Sequence, residues 1–199
     1  MNLIAERIAV DCGKTENNDF LQDSLKGLSQ QQKMLPSKYF YDAEGSRIFE
    51  EICDLEEYYV TRTELNILNK YQHEMAAYFD GELTVIEPGA GAGKKAAILL
   101  NALDNPKQFI PLEISNEAIF MSTNHLTEKH PSLEVLPLQG DFTNETDLQR
   151  VSELLGEDEN RLVFFPGSTL GNFSKAEAIS ILNNLKLLAG TKGKILLGV

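Results

Sequence analysis

The run Leu83-Thr84-Val85-Ile86-Glu87-Pro88 is a β-branched, apolar stretch ending in an acid, and Gly89-Ala90-Gly91-Ala92-Gly93 follows it before Lys94-Lys95 opens a helical pattern. Alternating glycines between a strand and a helix let the backbone turn sharply and admit a ligand that any Cβ would push away. They also aim the first free amides of the helix at that ligand. The segment therefore predicts a nucleotide-type cofactor at the carboxyl end of the strand. A P-loop is excluded, because it needs a longer glycine spacing and a Lys followed by Ser or Thr. A dinucleotide is disfavoured, because its fingerprint wants glycine for close helix packing where Lys94 stands.

From Leu83 onward, apolar runs alternate with helical spacing. Strands are predicted at residues 83–88, 108–114, 133–138, 161–166 and 193–199, with helices starting near Lys94, Asn116, Asp147 and Ser174. Ser174-Lys175-Ala176-Glu177 reads as a capping box. The pattern predicts an α/β fold over residues 81–199: a Rossmann-like, mostly parallel sheet with flanking helices and right-handed crossovers. Residues 1–80 read as an N-terminal helical extension on the substrate side. There Phe20, Leu21, Leu25 and Leu28 recur at helical spacing after Asp19 as N-cap, and Pro36 closes the stretch. Ile48, Phe49 and Ile52 mark a short second helix. Thr61-Arg62-Thr63-Glu64 reads as another capping box, opening a helix that carries Leu65, Leu68, Met75 and Phe79 inward. The last strand, near Lys194 to Val199, is apolar enough to want cover on both sides. Either the chain is a fragment of a longer protein, or a second copy covers that edge as a homodimer.

At 199 residues and 42% hydrophobic content the chain suffices for one sizeable core. With 18 Lys and Arg against 30 Asp and Glu, its net charge of −12 argues against a nucleic-acid partner. The start, Met1 to Arg7, carries an early acid and no long apolar run, and no later stretch could span a bilayer, so a cytoplasmic protein with no membrane partner is expected. Cys12 and Cys53 are too few and too far apart for a disulfide framework or a zinc site and read as reduced thiols, Cys53 in the core.

Three further segments reach the same sheet edge. Glu113 ends the second strand about twenty residues past the glycine loop, where an acid can accept hydrogen bonds from ribose hydroxyls. Gly140-Asp141-Phe142 offers a carboxylate for an exocyclic adenine amine and a ring for its face. As a strand-end acid outside the core, Asp141 is expected to be removable with little loss of fold. Pro166-Gly167-Ser168-Thr169-Leu170-Gly171-Asn172-Phe173 leaves the fourth strand toward the same crevice. His73, His125 and His130 have no carboxylate in local register and read as surface residues.

Together these segments, with Lys38-Tyr39-Phe40-Tyr41-Asp42-Ala43-Glu44-Gly45-Ser46 and Glu57-Tyr58-Tyr59-Val60-Thr61-Arg62-Thr63-Glu64, resemble the S-adenosylmethionine-dependent histidine Nα-methyltransferases of ergothioneine biosynthesis, whose relatives include a tryptophan-derivative N-methyltransferase. The resemblance runs from about Leu35 to Val199. It implies a class I methyltransferase-like fold in which Gly89, Gly91, Lys95, Glu113, Asp141 and Phe142 hold S-adenosyl-L-methionine. It also implies that Tyr58 and Asn172 hold the amino acid, with Tyr41 near its amine. Glu113 stands where Asp is usual, and Val60 where Pro is usual. The family continues past the last strand into a substrate domain that supplies an acid, a serine and a further tyrosine. Such a reaction is a direct displacement by an unprotonated amine and requires no metal. A non-catalytic cofactor-binding or dimerising module of the same family is the alternative expectation, and an NAD-binding oxidoreductase domain ranks last.

Overall fold

A computed structural model describes residues 10–11, 18–156 and 160–199. Cys12 and the Met1 to Arg7 stretch lie outside the described residues. The elements are, in order, strand β1 (Val10–Asp11), helices α1 (Asn18–Ser29), α2 (Ala43–Asp54) and α3 (Tyr59–Ala76), then β2 (Leu83–Pro88), α4 (Lys94–Ala102), β3 (Pro106–Glu113) and α5 (Asn116–Lys129). They continue as β4 (Glu134–Val135), β5 (Leu138–Gln139), α6 (Glu145–Leu155), β6 (Arg161–Phe165), α7 (Lys175–Ala189) and β7 (Lys194–Leu197). All strand pairs are parallel and run β1-β5-β3-β2-β6-β7, with β4 also on β3. Successive strands step outward from β2 to β3 and β5, then jump back to β6 and β7. The switch point thus falls between β2 and β6, where the glycine loop emerges.

The central strands are buried end to end, β2 at all six positions and β6 at all five, as a sheet covered on both faces requires. Alternate residues feed opposite cores. Ile86, Ile110, Leu112, Val163 and Phe165 face α6 and α7 through Leu148, Val151, Ile181 and Leu185. Val85, Phe109, Leu162 and Phe164 face α3, α4 and α5 through Leu68, Leu99, Leu100 and Leu126.

Four local readings change. The third predicted strand splits into β4 and β5 because Pro137 between them has no amide to donate. Strand β1 carries only two residues, too few for a periodicity, and its partner is β5. Helix α1 includes Asp19 rather than starting after it. Helix α6 starts at Glu145, capped by Asn144, whose side chain accepts from the Thr146 amide at 2.9 Å and the Asp147 amide at 3.4 Å.

The fifth change bears on the site. Ser174 and Glu177 do form the reciprocal capping box of α7, but Thr61 and Glu64 do not cap α3, which starts at Tyr59 without a side-chain cap. Thr61 Oγ1 instead lies 3.5 Å from Cys53 Sγ, and the Glu64 carboxylate is engaged elsewhere. Ser174→Ala should therefore cost about 1 kcal/mol of unfolding free energy by urea titration, and Thr61→Ala about 0.5 kcal/mol or less. Equal losses would reinstate Thr61 as a cap.

Candidate active site

A cavity of about 900 Å³ opens at the carboxyl ends of β2, β3, β5 and β6. Its floor is the glycine loop. Gly89, Gly91 and Gly93 have φ of +71°, +50° and +69°, a left-handed conformation that costs other residues energy. A Cβ on Gly91 would meet nothing within 4 Å, so this backbone faces open space. A Cβ on Gly93 would press on Leu126 at 3.2 Å and Ser122 at 3.3 Å, so Gly93 is what lets α4 approach α5. Lys94, at the position where the dinucleotide fingerprint wants glycine, has an exposed side chain that pairs with Glu50 on α2.

Glu113 closes the next strand tip. Its carboxylate accepts from the Gly91 amide at 3.2 Å, the Ile114 amide at 2.8 Å and the Ser115 amide at 3.4 Å. Burial pushes its pKa up, the three amide bonds oppose that, and the nearby Asp141 charge adds to it. Asp141 differs from its expected state as a dispensable strand-end acid. It is 6% exposed. One oxygen accepts from the Thr143 amide at 2.8 Å and the Thr143 hydroxyl at 2.6 Å, and the other from Lys38 at 3.3 Å. Removing it would free the Thr143 turn and unpair Lys38. Phe142 packs edge-on against Phe165 and Phe173, with ring centroids 5.4 and 6.3 Å apart, and lies against Gly89.

The N-terminal segment builds the facing wall. Tyr41, Phe49 and Tyr58 form an edge-to-face ladder with 6.1 Å steps. Burial first, then the charge of Tyr58, Glu113 and Cys53, raises the Tyr41 pKa. Burial first, then Cys53 and Glu64, raises that of Tyr58. Both phenols therefore keep their protons at neutral pH and can donate. Cys53 borders the cavity beside them instead of lying in the core. Asn172 ends a 3₁₀ turn, Thr169–Asn172, entered through Gly167 and Ser168 at φ of +91° and +52°.

All the candidate cofactor and substrate residues from the sequence border this one cavity: Gly89, Gly91, Lys95, Glu113, Asp141, Phe142 and Asn172 after the strand ends, and Tyr41 and Tyr58 from the N-terminal segment. His73, His125 and His130 do not border it. Among the described residues no group of three or more His, Cys, Asp or Glu could hold a metal ion, and no helix is long and apolar enough to cross a membrane.

Two residues escaped the sequence reading, and a third was read only as a strand end. Lys38 had no local pattern to distinguish it from its block. Glu64 was absorbed by the capping-box pattern; its carboxylate accepts from the Gly167 amide at 2.6 Å and pairs with Lys95 at 2.5 Å. Glu87, the acid noted at the end of the first strand, is 2% exposed, and one of its oxygens has no hydrogen-bond partner. Burial drives its pKa well up; Lys95 pulls it down, while Glu113 and Glu64 push it further up.

A raised carboxyl pKa in the fold means that stability present below the unfolded value near 4.5 is lost as pH rises toward the folded value. Glu87→Gln keeps the neutral shape without the titration. Melting temperatures between pH 4.5 and 8 should fall with rising pH more steeply for the unaltered chain than for the variant; parallel curves would show that Glu87 is ionised in the fold.

Comparison with known proteins gives the family. The family model described as "Histidine-specific methyltransferase, SAM-dependent" matches residues 20–199. The histidine N-alpha-methyltransferase of Mycolicibacterium smegmatis is 33% identical over 180 residues, 89% of this chain and 54% of its own length. Ergothioneine biosynthesis protein 1 of Neurospora crassa is 31% identical over 84% of this chain and 19% of its own. A 4-dimethylallyltryptophan N-methyltransferase of Penicillium roqueforti is 28% identical over 93% of this chain and 55% of its own. The chain thus spans about half the length of the mycobacterial relative. A solved structure of a candidate S-adenosyl-L-methionine-dependent methyltransferase from Methanococcus maripaludis shares the fold, with TM-score 0.51 and 17% identity over 86% of this chain and 67% of that one. With nearly its whole length matched by one family model, and with a parallel sheet of the methyltransferase type, this chain belongs to the family of SAM-dependent, histidine-specific methyltransferases.

Proposed function

We propose that the cleft binds S-adenosyl-L-methionine and presents the α-amine of histidine, or of a related amino acid, to its methyl group. The observation that carries this reading is convergence: a glycine loop open to the cavity, two acids at successive strand tips and an aromatic wall all border one space. The residues fit the donor. Gly91 leaves room for close approach. Glu113 spends three acceptor positions on amides, and a carboxylate has about four, so one remains for a ribose hydroxyl. Asp141 and Phe142 supply an acceptor and a ring face for the base, and Lys95 a cation.

The donor carries its own leaving group, so the protein contributes binding and alignment rather than bond chemistry. Alignment of a nucleophile with its target can be worth up to ~7–11 kcal/mol. Tyr41, Tyr58 and Asn172 orient the amino acid, while the tyrosine faces favour a cationic sulfonium across the cavity. Residues 18–80 act as the substrate-side wall and residues 81–199, with β1 added to the sheet beside β5, as the cofactor-binding core. The relatives' names span histidine and a tryptophan derivative, and the α-amine is the group such substrates share. In this reading the protein works in the cytoplasm, takes a small amino acid as its partner, and can pair with a second copy along the outer edge of β7, which is bonded to β6 on its inner side. The second reading is a cofactor-binding or dimerising module without catalysis.

Calorimetry should show binding of S-adenosylhomocysteine and none of NAD; the reverse would overturn the proposal. Mass spectrometry after incubation with donor and histidine should show methylated histidine. Binding without product from any amino acid selects the module. Gly91→Val adds a branched side chain at φ +50° facing the cavity and should weaken S-adenosylhomocysteine binding by roughly 100-fold or more, from strain and lost space together. An unchanged dissociation constant would put the ligand elsewhere.

A further inference from the structure

Lys95 is the cation that the glycine loop delivers to the cavity, yet its position is set by a residue that does not border the cavity. Glu64 lies in the second turn of α3, and both groups it holds, Lys95 and Gly167, are lining residues while Glu64 is not. The Lys95–Glu64 pair, at 2.5 Å, is largely enclosed, with side chains 21% and 15% exposed. A Cβ on Gly198 would collide with the same carboxylate, so the chain leaving β7 passes directly against it. The second oxygen accepts from the Gly167 amide at 2.6 Å, where the chain enters the Asn172 turn at φ +91°. One carboxylate therefore ties α3, α4 and the loop after β6 at the point where they meet the cavity.

We propose that Glu64 is a positioning residue that holds the Lys95 ammonium toward the carboxylate of the donor's amino-acid portion. The inference rests on the cofactor reading above. Its chemical basis is that an S-adenosyl donor has one anionic group, the α-carboxylate, which binds an ammonium more strongly than the neutral acceptors of adenosine do, while the sulfonium is itself a cation. A lysine has three donors, so it keeps Glu64 while meeting a second carboxylate. A free lysine side chain would lose its rotamer freedom when the ligand binds, and holding it beforehand removes that loss from the binding step. Glu64 also lies close enough to Tyr58 for its charge to help raise the phenol's pKa. The same residue thus borders both the donor side and the amino-acid side of the cleft from behind.

The test compares two ligands of the unaltered chain and of Glu64→Gln by calorimetry: S-adenosylhomocysteine, and 5′-methylthioadenosine, which keeps the adenosine and thioether but lacks the amino-acid portion. Gln retains an acceptor for the Gly167 amide and loses the charge that holds Lys95. The variant should bind S-adenosylhomocysteine roughly five- to tenfold more weakly, the factor expected when one long side chain must be immobilised at binding. Its affinity for methylthioadenosine should stay unchanged. Lys95→Met should show the same selective loss, and the double variant should be no worse than Lys95→Met alone. Equal weakening of both ligands together with a lowered melting temperature marks a purely structural role and overturns the proposal, as does no change in either. If Glu64→Gln does not fold, Glu64→Asp, with the charge on a shorter arm, is put through the same comparison. Failure of the unaltered chain to bind either ligand overturns the cofactor reading, and this inference with it.

Discussion

The hydrogen bond from the Gly91 amide to the Glu113 carboxylate joins the loop after β2 to the tip of β3, and the rest of the site is arranged around that junction. It forms because β2 and β3 pair in parallel register up to Pro88 opposite Leu112, which brings both strand ends to one edge. It also needs Gly91 at positive φ, so that the amide turns toward the neighbouring strand. From that point β5 extends the edge on one side with Asp141 and Phe142, and β6 on the other with the Gly167–Asn172 loop. The cavity is what is left where the strand order reverses.

The electrostatics at the strand tips follow from crowding acids together. Glu87, Glu113 and Asp141 line the cavity with Lys38 and Lys95, and the enclosed Glu64 stands behind Lys95. Burial and mutual repulsion raise Glu87 and Glu113, the response of carboxyl groups that are both desolvated and close to like charge. Both shifts favour the neutral, protonated acids at the strand tips. The two lysines are each tied to an acid, so the acids are positioned as much as neutralised.

Two identical sequence patterns had different fates, and the difference explains what could be read in advance. Ser174-Lys175-Ala176-Glu177 and Thr61-Arg62-Thr63-Glu64 both match a capping box. The first stands at an exposed helix start, where its two polar side chains have no better partner than the local backbone. The second lies where α3 packs near α4 and β6, and Lys95 and the Gly167 amide outcompete the local amides for Glu64. A local pattern predicts local bonding only where nothing distant competes. The same limit hid Lys38, whose partner Asp141 is 103 positions away.

The sequence by itself determined the alternation of strands and helices, the crevice at the glycine loop, and the acids and amides that would reach it, because those depend on periodicity, chain direction and the conformational freedom of glycine. Even Phe142 and Asn172 could be placed on this edge, since each lies in a segment that leaves a strand end. Tertiary structure alone decided how these groups are held. It set Gly93, and not the position of Lys94, as the close contact between helices, buried Asp141 under Lys38, turned Cys53 toward the cavity and gave Glu64 its partners. Those are contests between groups far apart in the chain, and their outcome depends on distance and desolvation, which exist only once the sheet has brought its strand ends together.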